Sequence, residues 1–123
     1  MTRPRVLIAD DHPGFAKALG RVLAFECDVI EVVADGSAVV EAVARLQPIV
    51  ALVDVNLPNL SGVEICRQLI RNNPSAKVIV ISGMIDDAVR TAAVAAGASA
   101  VLPKLTVSHD LVAEIKRAWA GTT

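Results

Sequence analysis

Three aspartates, one serine and one lysine carry the chemistry available to this sequence. Asp10 and Asp11 follow the run Arg5–Ala9. Asp54 follows the run Ile49–Val53. Ser82 and Gly83 follow Val78–Ile81, and Pro103 and Lys104 follow Ala100–Leu102. Carboxylates brought together repel one another, so a cluster of them needs a cation to be tolerated. The donors are hard oxygens with no cysteine beside them, which selects Mg²⁺, an ion that keeps waters and combines one or two carboxylates with phosphate oxygens. Lys104 and Ser82 would then take the remaining phosphoryl oxygens. One carboxylate could act as nucleophile and give an acyl phosphate. Taken singly, a strand-end Asp is a turn former or a helix cap, Asp11 before His12-Pro13 is only an N-cap, and a lone Lys is solvated. The joint placement of these residues argues against that simpler reading.

The elements that must position them follow from periodicity. Five short β-rich runs, Arg5–Ala9, Val29–Val33, Ile49–Val53, Val78–Ile81 and Ala100–Leu102, alternate with segments of helical spacing. The helical stripes are Phe15, Ala18, Leu19, Val22, Leu23; Val39, Val40, Val43, Ala44, Leu46; Val63, Ile65, Cys66, Leu69, Ile70; Ala88, Val89, Ala92, Ala93, Ala95, Ala96; and Leu111, Val112, Ile115, Ala118, Trp119. Punctuation agrees. Pro13 suits a first helical turn and Ser108 a cap for the last helix. Pro48 and Pro74 close helices, Gly97 suits a left-handed position after one, and Asp35-Gly36 reads as a turn into the second. Such βα alternation implies a parallel sheet covered by helices on both faces. Ligands of open α/β sheets bind beyond the carboxyl ends of the strands, where the chemistry-bearing residues fall. The second run offers nothing comparable, as expected of an outer strand.

Composition narrows the function classes. The 123 residues fit a single domain spanning 1–123. Hydrophobic residues make up 54% and charged residues 20%, so the chain must bury a core. That apolar set is aliphatic, with two Phe, one Trp and no Tyr, and suits strands buried on both faces. The formal net charge is -1 and the basic residues are scattered, which argues against nucleic-acid binding by this domain. Cys27 and Cys66 lack the spacing of a zinc or redox motif and read as buried thiols. No apolar run approaches membrane-spanning length, no leader is expected, and the cytoplasm is the expected location.

The motifs Ala9-Asp10-Asp11-His12-Pro13, Val53-Asp54-Val55-Asn56-Leu57-Pro58, Leu60-Ser61-Gly62, Ile81-Ser82-Gly83 and Gly97-Ala98 through Lys104 resemble, in order and spacing, the receiver domains of two-component response regulators. They look most like receivers that precede a LuxR-type helix-turn-helix domain. The resemblance implies a flavodoxin-like, doubly wound five-stranded sheet in the order 2-1-3-4-5. It implies Asp54 as phosphoacceptor and Asp10, Asp11, Asp54 and the Asn56 backbone carbonyl as the Mg²⁺ set. Lys104 would neutralise phosphoryl charge, the Ser82 hydroxyl and the Gly83 N–H would contact the phosphoryl group, and Pro58 and Gly62 would shape the loop. The implied partner is a sensor histidine kinase or a phosphotransfer protein. Homodimerisation through the fourth helix, fifth strand and fifth helix is a further implication. The domain would be a switch that catalyses only its own phosphorylation and dephosphorylation.

Two positions depart from the family pattern. Val101 stands where the switch aromatic is usual, and Leu105 follows Lys104 where many receivers have proline. An enzyme reading, a Mg²⁺-dependent phosphohydrolase with an aspartyl nucleophile, wants a second carboxylate two residues after the nucleophile, where Asn56 stands. A receiver-like interaction module that works without phosphate would be expected to lose an acid or the lysine, and this chain keeps both. His12 opens a helix and reads as a capping or surface residue, and His109, near another helix start, reads the same way. Met84 reads as a rim residue that gates Asp54 or packs on its loop, and Trp119 as core or partner contact.

Overall fold

In the computed structural model the aliphatic runs pair side by side, and the helices between them cover both faces. The structure describes residues 3–84, 86–105 and 107–120, with the backbone alone at 107–109. The elements are β1 (Arg5–Ala9), α1 (Pro13–Leu23), β2 (Asp28–Val33), α2 (Gly36–Leu46), β3 (Val50–Asp54), α3 (Gly62–Asn72), β4 (Lys77–Ser82), α4 (Asp87–Ala95), β5 (Ala100–Pro103) and α5 (Val107–Ala120). All strand pairings are parallel, and the order is β2-β1-β3-β4-β5. This is the doubly wound fold that the alternation implies, with β2 at the edge.

Alternation along each strand divides the core in two. Leu7, Val53, Val80 and Val101 face α2, α3 and α4, and pack with Val39, Ile65, Leu69 and Ala93. Val6, Ile8, Leu52 and Ile81 face α1 and α5, and pack with Leu19, Leu23, Leu111 and Ile115. The central strand β3 is buried along its whole length, which is why it reads as an unbroken aliphatic run. Four stripe positions differ from expectation. Ala88 and Ala95 of α4 are exposed. Ala18 and Ala44 are exposed as well, and Ala16 and Ala42 are buried instead. Ala16 lies three residues before Leu19, and Ala42 three after Val39. Those spacings keep them on the buried face, whereas Ala18 is rotated off it.

Termini and punctuation behave as their chemistry dictates. Gln47 adopts a left-handed conformation after α2 with Pro48 behind it, and Gly97, with φ of 101°, follows α4. Asp35 is the N-cap of α2 rather than a turn residue, its carboxylate accepting the Ser37 N–H at 2.8 Å. Ser108 lies inside the first turn of α5, because that helix already begins at Val107, so it is not the cap. The side chain of His109 lies outside the described residues. Cys27 and Cys66 are buried free thiols, and burial pushes Cys66 up to about 11. Among the described residues no helix is long and apolar enough to cross a membrane.

Candidate functional site

The sheet register sets the site. Ala9 lies beside Val53, Asp54 beside Ile81, and Ser82 beside Pro103, so the carboxyl ends of β1, β3, β4 and β5 form one rim. The chain leaving each strand is tied to its neighbour. The Asp10 N–H donates to the Val33 carbonyl at 2.9 Å, Val55 N–H to Ile81 at 2.9 Å, and Lys104 N–H to Ser82 at 2.9 Å. Three independent strand ends thereby hold Asp10, Asp54 and Lys104 in register.

Their side chains meet. Lys104 Nζ lies 2.9 Å from Asp54 Oδ2 and 3.2 Å from Asp10 Oδ2. The other oxygens of the two acids are used locally: Asp54 Oδ1 accepts the Asn56 N–H at 3.0 Å, and Asp10 Oδ1 accepts the His12 N–H at 2.8 Å. Asp10 and Asp54 are each only 4% exposed, whereas Asp11 is exposed at the mouth. One carboxylate oxygen from each of Asp10, Asp11 and Asp54 falls within 4.8 Å of the others. Two carboxylates therefore share one ammonium with a third beside them, and the excess of negative charge suits a hard divalent cation.

The titration behaviour has the same origin. Burial raises the Asp10 pKa above its ordinary value, and the nearby Asp54 charge adds to this, outweighing the His12 N–H and Lys104 that favour the carboxylate. For Lys104 burial opposes the charged form. Its hydrogen bonds to Asp54 and Asp10 outweigh that cost and hold its pKa above the ordinary range.

The remaining expected residues take more varied places. Ser82 is buried on the last position of β4, but its hydroxyl donates to the Met84 carbonyl at 2.7 Å and accepts the Met84 N–H at 3.2 Å. That hydroxyl is engaged by its own loop. Gly83 is exposed, and a Cβ there would meet nothing within 4 Å, so close packing is not what calls for glycine. Asn56 is exposed on the loop after β3. Met84 is 78% exposed and so is not packed down on that loop. His12, not Asp11, caps α1: its Nδ1 accepts the Phe15 N–H at 3.0 Å. Gly62 is required by close approach, since a Cβ would lie 2.4 Å from the Asp54 carbonyl oxygen. No cis peptide bond occurs among the described residues, Leu105 following Lys104 included.

Two features escape a reading of the sequence. Lys104 Nζ stands 4.5 Å from the centroid of the Phe15 ring, and nothing in the spacing of positions 15 and 104 signals it. Asn59, with φ of 71°, donates from its side chain to Asp35 at 2.7 Å and joins the loop after Asp54 to the start of α2. Asn59 itself, directly after Pro58, is the one available hint, because Asn tolerates the left-handed region.

Comparison with known proteins agrees with this arrangement. Residues 6–116 match the response regulator receiver domain family. The chain is 38% identical over 115 residues to the transcriptional regulatory protein DegU of Brevibacillus brevis, covering 91% of this chain and 48% of that protein. It is 32% identical over 120 residues to the response regulator GacA of Pseudomonas protegens, covering 95% and 56%. The chain thus spans about half the length of the curated relatives it matches. Among solved structures, the signal receiver domain of the putative response regulator NarL from Mycobacterium tuberculosis superposes with a TM-score of 0.84 at 27% identity, covering 99% of this chain and 97% of that one. A LuxR-family two-component response regulator from Aurantimonas superposes with a TM-score of 0.91 at 24% identity, covering 98% and 87%, a likeness of fold. With the motifs, the fold and the acidic rim in the same register, the chain belongs to the response regulator receiver domain family, the signalling switches of two-component systems.

Proposed function

We propose that residues 1–123 form one receiver domain in which Asp54 accepts a phosphoryl group. The donor is a phosphohistidine on a sensor histidine kinase or phosphotransfer protein, or a small phosphodonor. The observation that carries this reading is the packing of three carboxylate oxygens within 4.8 Å of one another, with Lys104 bridging Asp54 and Asp10. Asp10, Asp11, Asp54 and the Asn56 backbone carbonyl would hold Mg²⁺, which when bound draws phosphoryl oxygens and offsets their charge.

The chain's own residues do the rest. A carboxylate oxygen of Asp54 attacks phosphorus as the bond from phosphorus to the donor nitrogen breaks, and the nitrogen keeps that electron pair. With phosphoramidate the leaving group is ammonia, and the product is an aspartyl phosphate. Lys104 follows the developing charge at a distance already set by β5. The Ser82 hydroxyl must leave Met84 to reach a phosphoryl oxygen, and the exposed Gly83 N–H adds a second donor. That rearrangement of the loop after β4 links phosphate to the face of α4, β5 and α5, which meets the partner or a second copy of the domain.

The likeness to DegU and to LuxR-family regulators favours a DNA-binding domain elsewhere in the whole protein, and the cytoplasm as its location. DNA contact is assigned to that domain rather than to this one. The test is incubation with phosphoramidate and Mg²⁺ followed by intact-mass analysis. One phosphoryl adduct is expected, absent in Asp54→Asn and absent when Mg²⁺ is chelated. No adduct with donor and metal in excess overturns the reading.

A further inference from the structure

We infer that Phe15 is a positioning residue for Lys104, giving the ammonium that bridges Asp54 and Asp10 a fixed aromatic seat on α1. The inference rests on the phosphoacceptor reading above and adds a residue that the acidic rim alone does not suggest. The Lys104 nitrogen lies 4.5 Å from the ring centroid, inside the range over which a cation is drawn to the face of an aromatic ring. The ring is held from behind. Phe15 is half-buried and packs against the core shared by α1 and α5. Its own N–H donates to His12 Nδ1 at 3.0 Å, and the His12 N–H donates to Asp10 Oδ1 at 2.8 Å. Asp10 therefore closes a circuit. One of its oxygens fixes the start of α1, the other holds the ammonium, and α1 brings its ring to that same ammonium.

A lysine side chain is long and flexible, so two carboxylates alone leave its position dependent on their charge. In the proposed reaction that charge changes on both. Asp10 is drawn to a metal, and the Asp54 carboxylate becomes an acyl phosphate, its negative charge then lying on the phosphoryl oxygens. The Phe15 ring neither titrates nor ligates, so it is the neighbour whose attraction survives both events. The choice of residue supports this. The chain has two Phe, one Trp and no Tyr, and fills the rest of its core with aliphatics. One of the two, Phe25, is 87% exposed, and the other lies under the lysine.

The experiment compares wild type, Phe15→Leu, Phe15→Tyr, Lys104→Ala and the Phe15→Leu, Lys104→Ala double variant. The readout is the rate of aspartyl phosphate formation from phosphoramidate with Mg²⁺. Leu keeps the apolar bulk and loses the ring quadrupole, whereas Tyr keeps both. The expected result is a loss of about threefold to tenfold in Phe15→Leu, from the usual strength of a partly desolvated cation–ring pair. Phe15→Tyr should restore the wild-type rate, and Phe15→Leu should have no further effect once Lys104 is Ala. A Phe15→Leu variant as fast as wild type overturns the inference. So does the same loss in both Lys104 backgrounds, which marks a packing role only. A second readout does not need phosphorylation: the Lys104 ε-protons carry a ring-current shift that Phe15→Leu removes and Phe15→Tyr keeps. If wild type accepts no phosphoryl group, the functional reading fails. The ε-proton shifts then decide the seat alone, and their persistence in Phe15→Leu overturns it.

Discussion

At the scale of single residues, the glycines divide by what surrounds them. A Cβ on Gly62 would stand 2.4 Å from the Asp54 carbonyl oxygen and 2.7 Å from the Val55 Cα, both backbone atoms that cannot swing aside. Gly20, inside α1, would meet nothing within 4 Å. Gly62→Ala should therefore destabilise the domain by about 1–3 kcal/mol, the usual range for forced overpacking. Gly20→Ala should stabilise it by about 0.5–1 kcal/mol through helix propensity alone. Urea unfolding measures both, and a Gly62→Ala variant as stable as wild type would show that the loop yields at little cost. Residues of this kind mark the limit of reading from sequence. Asp10, Asp54 and Lys104 were legible because strand ends are predictable and charges there are rare enough to count. His12, read as a capping or surface residue, does cap α1, but the role of Phe15 was not legible, because it comes from a contact across 89 positions of chain (104 − 15). The Ser82 hydroxyl was placed correctly along the chain, but its bond to Met84 depends on loop geometry that residue types do not encode.

Elements were legible wherever periodicity and capping point the same way. The edges of the five strands differ from the aliphatic runs by a residue at most; burial on both faces leaves no polar gap inside β3 and β4, and Glu31 interrupts only the run of the edge strand β2. Alanine was the weak signal: it fits a buried or an exposed helical face equally well, hence the exchange of Ala18 for Ala16 and Ala44 for Ala42. The start of α2 is held more firmly than an ordinary cap. Asp35 Oδ1 accepts both the N–H and the hydroxyl of Ser37, while Oδ2 accepts the Asn59 amide. The Gly36 N–H donates to the Pro58 carbonyl at 3.0 Å, so α2 and the loop after Asp54 are latched at two points. The Ser37 hydroxyl first, then its N–H and the Asn59 amide, hold the Asp35 carboxyl below its ordinary 3.8. A depressed folded pKa contributes stability that is complete above the unfolded value and is lost as pH falls through the folded one. Asp35→Ala should thus melt lower than wild type at neutral pH, and the gap should close as pH drops below 3.8. Thermal melts of the pair across that range cancel the other acids. A gap that stays constant with pH would mean that the carboxylate charge contributes nothing to the latch.

For the molecule as a whole, the question that the proposed phosphorylation raises is how a charge on the rim would reach α4, β5 and α5. Val101 is 8% exposed, pairs with Val80 across β4 and β5, and packs in the core beneath α2, α3 and α4. A valine is stiff at χ1 and too short to exchange a buried place for an exposed one, so it cannot act as a swinging reporter. The loop after β4 is better suited. The Ser82 hydroxyl is bonded there to Met84, and a phosphoryl oxygen on Asp54 would compete for it. Next along the chain is α4, the least anchored helix in its middle. Ala93 is its one buried residue among those described, and Val94 is 62% exposed. Small side chains over the sheet let such a helix shift without opening large cavities, since cavity cost scales with the volume vacated. Amide NMR spectra with and without beryllofluoride and Mg²⁺ should therefore change most from Ser82 to Ala92 and at Lys104, and less around Val101. The Met84 amide should lead, because the bonds of its N–H and carbonyl to the Ser82 hydroxyl are the ones that break. If the largest shifts centre instead on Val101 and the rest of β5, with the segment after Ser82 unmoved, the output runs through the sheet and the path through α4 is wrong.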